Sequence, residues 1–157
     1  MRLIMLACFA LLLQGCSTFW ETKVTFPGPR QGVSVMIAQP FPANGWGIRV
    51  VLNNKKAPKT LYEVRGDVFL DFAEVAWSPD GEQVAVFTCG TPALRMAHNI
   101  ADDRSVPFVQ MEAAMALRVR AAYRLDNQMS NNDIFNWACS SDGVDHFSRL
   151  HPNASPR

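Results

Sequence analysis

The spacing of apolar and polar positions changes repeatedly along this chain, and each change marks an element. Leu3 to Leu13 is an unbroken apolar run with no charge, preceded by Arg2. Residues 17–32 hold Pro27, Gly28, Pro29 and Gly32 and show no sustained period, which reads as a tether. From Val33 the pattern becomes short β-type runs between turn residues. Val33 to Ile37, Gly47 to Leu52, Thr60 to Val64, Val68 to Trp77 and Gln83 to Thr88 are the expected strands, with Pro40 and Pro42 breaking the first. Their connections are too short for parallel crossovers, so the expected arrangement is an antiparallel meander in a single blade-like sheet. Val109 to Leu125 then holds five alanines with Met111, Met115 and Leu117 and no Gly or Pro. These are good helix formers, and Phe108, Met111, Met115, Val119 and Ala122 fall on one helical stripe. Pro107 suits the first turn of that helix and Ser105 its cap. Alternation of Leu117, Val119, Ala121 and Tyr123 with Arg118, Arg120 and Arg124 is the competing strand reading. Asp133 to Cys139 and Asp142 to Leu150 predict short helices held down by Phe135, Trp137 and Phe147. The fold class is α+β, with the domain over 33–150 and a flexible tail over 151–157.

Trp77-Ser78-Pro79-Asp80-Gly81-Glu82-Gln83 is the sharpest local signal. Pro79 presets φ for turn position i+1, Asp80 suits i+2, and Gly81 accepts the left-handed conformation that follows. Residues 74–87 resemble one hairpin of a TolB-type propeller repeat. A propeller needs several blades of about 40 residues, and this chain holds no second copy of the motif.

The N-terminal run ends in Leu13-Gln14-Gly15-Cys16. A basic n-region, an apolar h-region and a small residue before a candidate cut are the parts of a secretory signal. The run is too short to span a bilayer as a mature helix. The ending resembles the lipobox of bacterial lipoproteins, departing from the common form at Gln14. That resemblance implies a signal over 1–15, acylation of Cys16 and a mature chain that begins there. The alternative is an ordinary signal cut elsewhere. Ser17, by the same resemblance, implies delivery to the outer membrane, anchored at its periplasmic face; the inner membrane and the soluble periplasm are the alternatives.

Export changes how the cysteines read. With Cys8 in the signal and Cys16 acylated, Cys89 and Cys139 remain as an even pair in an oxidising compartment. A bridge between them would close a loop of about 50 residues, worth about 4 kcal/mol in the chain-entropy model; two free buried thiols are the alternative. The full chain has 15 basic and 14 acidic side chains. Loss of Arg2 with the signal leaves them equal, so the overall charge supplies no case for nucleic acid or for anionic lipid headgroups.

Catalytic and metal-ligating patterns are sparse, and neither a catalytic set, a metal site nor a cofactor is expected. Asp142, Asp145 and His146 gather two carboxylates and an imidazole without calcium-loop or zinc-type spacing. Asp67 and Asp71 are a possible carboxylate pair, His98 is isolated, and Ser140-Ser141 lacks the context of a nucleophile. Arg118, Arg120 and Arg124 form either a basic strip or a solvated helix face. Trp46, between two glycines, is a candidate binding anchor with Asn44 and Pro42; the alternative is that it packs inward. The expectation is a non-enzymatic envelope lipoprotein with a binding or assembly role, its partners being lipid through Cys16 and another envelope protein. A periplasmic inhibitor or immunity lipoprotein is the second reading. A hydrolase using Asp142, Asp145 and His146 is the third.

Overall fold

A computed structural model describes residues 19–41, 47–54, 57–66, 68, 70–89 and 94–154. The α+β expectation holds, with one correction: the strands divide into two antiparallel four-stranded sheets rather than one. The first sheet runs β1 (Phe19–Pro27), β2 (Ser34–Phe41), β3 (Gly47–Asn53) and β4 (Lys59–Arg65). The second runs β5 (Ala73–Trp77), β6 (Gln83–Thr88), β7 (Leu94–Asn99) and β8 (Arg104–Ser105). In each sheet the spatial order is the chain order, so every pairing is a hairpin. A 3-10 turn at Phe108–Gln110 leads into α1 (Glu112–Tyr123), α2 (Asn131–Ala138) and α3 (Ser141–Leu150).

Several boundaries move, each for a physical reason. The expected tether contains β1, which pairs with β2 from Phe19↔Phe41 to Pro27↔Ser34. Val24 and Phe26 are its buried side chains, and their alternation was masked in the sequence by the Pro-Gly-Pro turn that follows. Pro40 lies inside β2 instead of ending it. Pairing of β2 with β3 stops at Ala38↔Arg49, so Pro40 lies where β2 has become an edge and a missing N–H is tolerated. The run from Val68 is a strand only from Ala73; Leu70 and Phe72 are fully buried in the irregular segment before it. The helical reading of 109–125 holds over Glu112–Tyr123, but Ser105 belongs to β8 and Tyr123, rather than Ala122, is buried at the end of the stripe. The tail is packed as far as Ala154, which is fully buried.

The two sheets are buried differently. Strand pairing puts Glu74, Ala76, Ala85 and Phe87 on one face of the second sheet and Val75, Trp77, Val84 and Val86 on the other. The first set faces the helices: Phe87 stacks on Phe135 of α2 at 5.1 Å, and Glu74 meets Arg118 of α1. The second set faces the first sheet, where Trp77 lies against Gly28. The first sheet offers only one apolar face, built from Val24, Phe26, Val35, Ile37, Ile48, Val50 and Leu52.

Two polar clips join the layers. Arg30, in the β1–β2 turn, pairs with Glu82 and donates to the Asp80 carbonyl at 3.1 Å. Lys59 of β4 pairs with Asp103, which also lies 3.1 Å from Nε2 of His98. His98, its side chain 12% exposed, thus supports from within the second sheet the carboxylate that reaches Lys59 of the first. Hydrogen bonding from Lys59, with its positive charge, holds the Asp103 carboxyl below the ordinary range.

The Ser78–Gly81 turn forms as read. The Gly81 amide donates to the Ser78 carbonyl at 2.9 Å, and Gly81 has φ +72°. Ser78 Oγ, donating to the Asp80 carboxylate, holds that carboxyl below its usual value, helped by the Glu82 amide at 2.9 Å. Gly81 has a second constraint that the turn rules do not contain. A Cβ there would come 2.8 Å from Cγ of Pro29, so the glycine also admits the turn of the first sheet.

The Cys89–Cys139 disulfide is present, with Cα atoms 5.3 Å apart. It ties the end of β6 to the end of α2. Among the described residues no helix is long and apolar enough to cross a membrane.

Candidate functional site

The sequence-derived candidates of the C-terminal region lie on or beside α3. Asp142 lies in the first turn of α3 and is exposed, as is Asp145. His146 packs edge-on against Tyr123 at 5.4 Å and faces Trp137 at 6.3 Å. Its ring is part of an aromatic cluster between helices. Ser140 caps α3, its hydroxyl accepting from the Gly143 amide at 3.4 Å. Gly143 is required by packing: a Cβ there would lie 2.4 Å from the Trp137 carbonyl oxygen. Among the described residues no three His, Cys, Asp or Glu side chains gather as a metal set. Asp71 lies in the segment before β5, and its candidate partner Asp67 is outside the described residues.

The three arginines of α1 have three different roles rather than forming a strip. Arg118 Nε donates to Glu74 at 2.9 Å. Arg120 donates to the Met129 carbonyl. Arg124 is the left-handed C-cap of the helix, at φ 53°. The Glu74 pairing escaped sequence reading, although a single charge inside Phe72-Ala73-Glu74-Val75-Ala76-Trp77 was the available signal. Glu74 is 2% exposed. Burial pushes its carboxyl pKa up, against the opposing pull of Arg118. Burial likewise raises the Tyr123 hydroxyl, and the nearby Glu74 charge adds to it. A buried acid compensated by one half-exposed guanidinium holds α1 onto β5.

Chemistry capable of contact with another molecule concentrates at one end of the first sheet. β1 starts there at Phe19, β2 ends there at Phe41, β3 starts at Gly47 and β4 ends at Arg65. Phe19 and Phe41 are directly paired and are 69% and 55% exposed. On the opposite face Trp20 lies beneath two guanidinium groups, Arg49 at 4.3 Å and Arg65 at 5.8 Å from the ring centroid. Both arginines reach Glu63, at 2.8 and 3.2 Å. Burial of Glu63 acts upward on its carboxyl, but the hydrogen bonds from Arg49 and Arg65 prevail and hold it below the ordinary range. Two cations thus share one acid.

Pro42, Asn44 and Trp46 fall in the connection from Phe41 to Gly47 and lie outside the described residues, as does Cys16. The covalent chain nevertheless fixes where both segments attach. The candidate binding loop leaves the first sheet at the same end where the chain from Cys16 enters it. No protein-family model matches the chain, and no curated protein or solved structure matches it either.

Proposed function

We propose that this chain is an envelope lipoprotein, acylated at Cys16, held at the periplasmic face of the outer membrane, and acting as a binding or assembly accessory to another envelope component. The observation that carries the reading is the gap between Cys16 and β1. Only Ser17 and Thr18 separate the lipobox-like cysteine from the first residue of a paired strand. Three residues of extended chain span at most about 10 Å. A diacylated residue there would hold the sheet against the bilayer without slack, and acyl chains contribute about 0.8 kcal/mol per buried CH2. A domain confined to a membrane face needs only modest affinity for a neighbour in the same envelope, because tethering raises effective concentration. The loop carrying Pro42, Asn44 and Trp46 is the proposed partner contact, and its attachment at the anchored end directs it to a partner close to the membrane.

Metabolic labelling with a palmitate analogue tests the anchor. The wild type should label and sediment with outer membranes, and Cys16→Ser should lose both properties. A wild type that carries no label and is recovered in soluble periplasm would refute the proposal. Capture of a crosslinked partner by the wild type, reduced in Trp46→Ala at an unchanged unfolding midpoint, tests the accessory role. Equal capture by both proteins would remove Trp46 from it.

A further inference from the structure

We infer that the Phe19–Phe41 end of the first sheet seats directly on the lipid surface, with Phe19 and Phe41 entering the interfacial layer and Arg49 and Arg65 lying over headgroup phosphates. The inference rests on the proposed acylation of Cys16 and goes beyond it, since an anchor alone requires no contact between the folded domain and lipid.

Exposure and chain length both point this way. Phe19 and Phe41 are among the most exposed large apolar side chains of the described residues, and they are paired across adjacent strands rather than scattered. An adjacent pair of exposed aromatics marks a contact surface where single exposed apolar residues would not. The occupant follows from where the described chain begins. Cys16 is three residues from Phe19, so a lipid on Cys16 brings the bilayer within about 10 Å of this pair. With that lipid in place, the bilayer is the surface that the covalent chain brings nearest to this pair.

The surrounding side chains suit the same occupant. Trp20 adjoins this pair with its ring under Arg49 and Arg65 and its Nε1 buried, so its emission reports on this end of the sheet. Arg65 has a long apolar stem and an exposed head, which allows the guanidinium to reach a phosphate while the stem lies along the interface. Arg49 and Arg65 share the single carboxylate of Glu63, so this group of charged side chains carries net positive charge. β1 is also an edge strand, and lipid headgroups and water can serve its unpaired backbone groups where hydrocarbon could not.

The test uses the full acylated protein purified from membranes and reconstituted into vesicles of phosphatidylethanolamine and phosphatidylglycerol. Its tryptophan emission is compared in vesicles with and without bromine near the headgroup end of the acyl chains. Wild type should be quenched by the brominated lipid, and Phe19→Ser/Phe41→Ser should lose roughly half or more of that quenching while keeping its acyl label. The wild-type result stands without any variant, and the disulfide measured in the double variant reports that it has folded. An acylated wild type that is not quenched, or a double variant quenched equally, overturns the contact and leaves the anchor intact. Absence of the acyl group overturns both. Absence of quenching together with a crosslinked dimer through β1 would assign this end to a second copy of the chain instead.

Discussion

The two sheets share a strand order and a hairpin connectivity, yet they are buried in different ways. Along β5 the residues from Ala73 to Ala76 are all buried, and along β6 those from Val84 to Thr88. β1 and β4 of the first sheet keep exposed positions along most of their length. The cause is what each sheet has to cover. The second sheet lies between the first sheet and the helices, so it presents Val84 and Val86 one way and Ala85 and Phe87 the other. The first sheet has the core on one side only. A sheet covered on both faces can hold a structure together, and a sheet with a free face and a free end can meet another molecule. This division assigns stability to the second sheet with its helices and contact to the Phe19–Phe41 end of the first.

The largest expected effect lies on the stability side. Cys89→Ser/Cys139→Ser opens a loop whose closure is worth about 4 kcal/mol in the chain-entropy model. Denaturant unfolding should show a loss of that order, with sheet-to-helix docking weakened. A loss below about 1 kcal/mol would mean that packing of Phe87 on Phe135 already holds the junction and the bridge adds little.

Next is the junction between the sheets. Gly81→Val places a β-branched residue at positive φ, which costs roughly 1–3 kcal/mol, before any clash with Pro29 is counted. If Pro29 matters as the 2.8 Å approach implies, Gly81→Ala combined with Pro29→Ala should recover part of what Gly81→Ala alone loses. Strict additivity of the two changes would show that the sheets do not meet there.

A smaller, pH-dependent effect separates the helix-facing side of the second sheet. Burial raises the folded-state pKa of Glu74 above its ordinary value of 4.5. The folded state therefore binds this proton more tightly than the unfolded chain does. The associated stability is fully present below 4.5 and is lost as the pH rises through the raised value. Measured against Glu74→Gln, wild-type stability should fall as the pH climbs from 4.5. Burial of His151 lowers its pKa and acts with the opposite sign below 6.5, but it is common to both proteins and cancels in the comparison. A difference that is flat with pH would contradict a desolvated Glu74.

The smallest effect is expected on the free face of the first sheet. Arg49→Ala removes a half-exposed ion pair with Glu63 and a guanidinium over Trp20, together worth about 1 kcal/mol or less. A loss comparable to that of the disulfide variant would show that this face is structural, and the division between the sheets would fail.

What was legible in the sequence follows the same division. Turn chemistry is local, so the Ser78–Gly81 hairpin could be read residue by residue. Alanine content announced α1, and an even pair of cysteines announced the bridge. The split into two sheets is not local. Gly66 and Asp67 signal a break after β4, but whether the next strand rejoins the sheet depends on what packs beneath it. β1 was hidden because Val24 and Phe26 are only two alternating positions ahead of Pro27-Gly28-Pro29. β7 and β8 are short and lack a strong turn signature, so His98 looked isolated until Asp103 and Lys59 were placed beside it. At the candidate site, Phe19 and Phe41 are distant in sequence and meet only through the β1–β2 register.

Everything proposed for this chain depends on acylation of Cys16, three residues before the first strand. Intact mass measurement of the protein from native membranes, followed by fragmentation of its N-terminal peptide, reads this directly. The expected result is a chain that begins at Cys16 and carries a diacylglyceryl group on that residue, with Cys89 and Cys139 linked. A chain that begins elsewhere, or at Cys16 with an unmodified thiol, would contradict it.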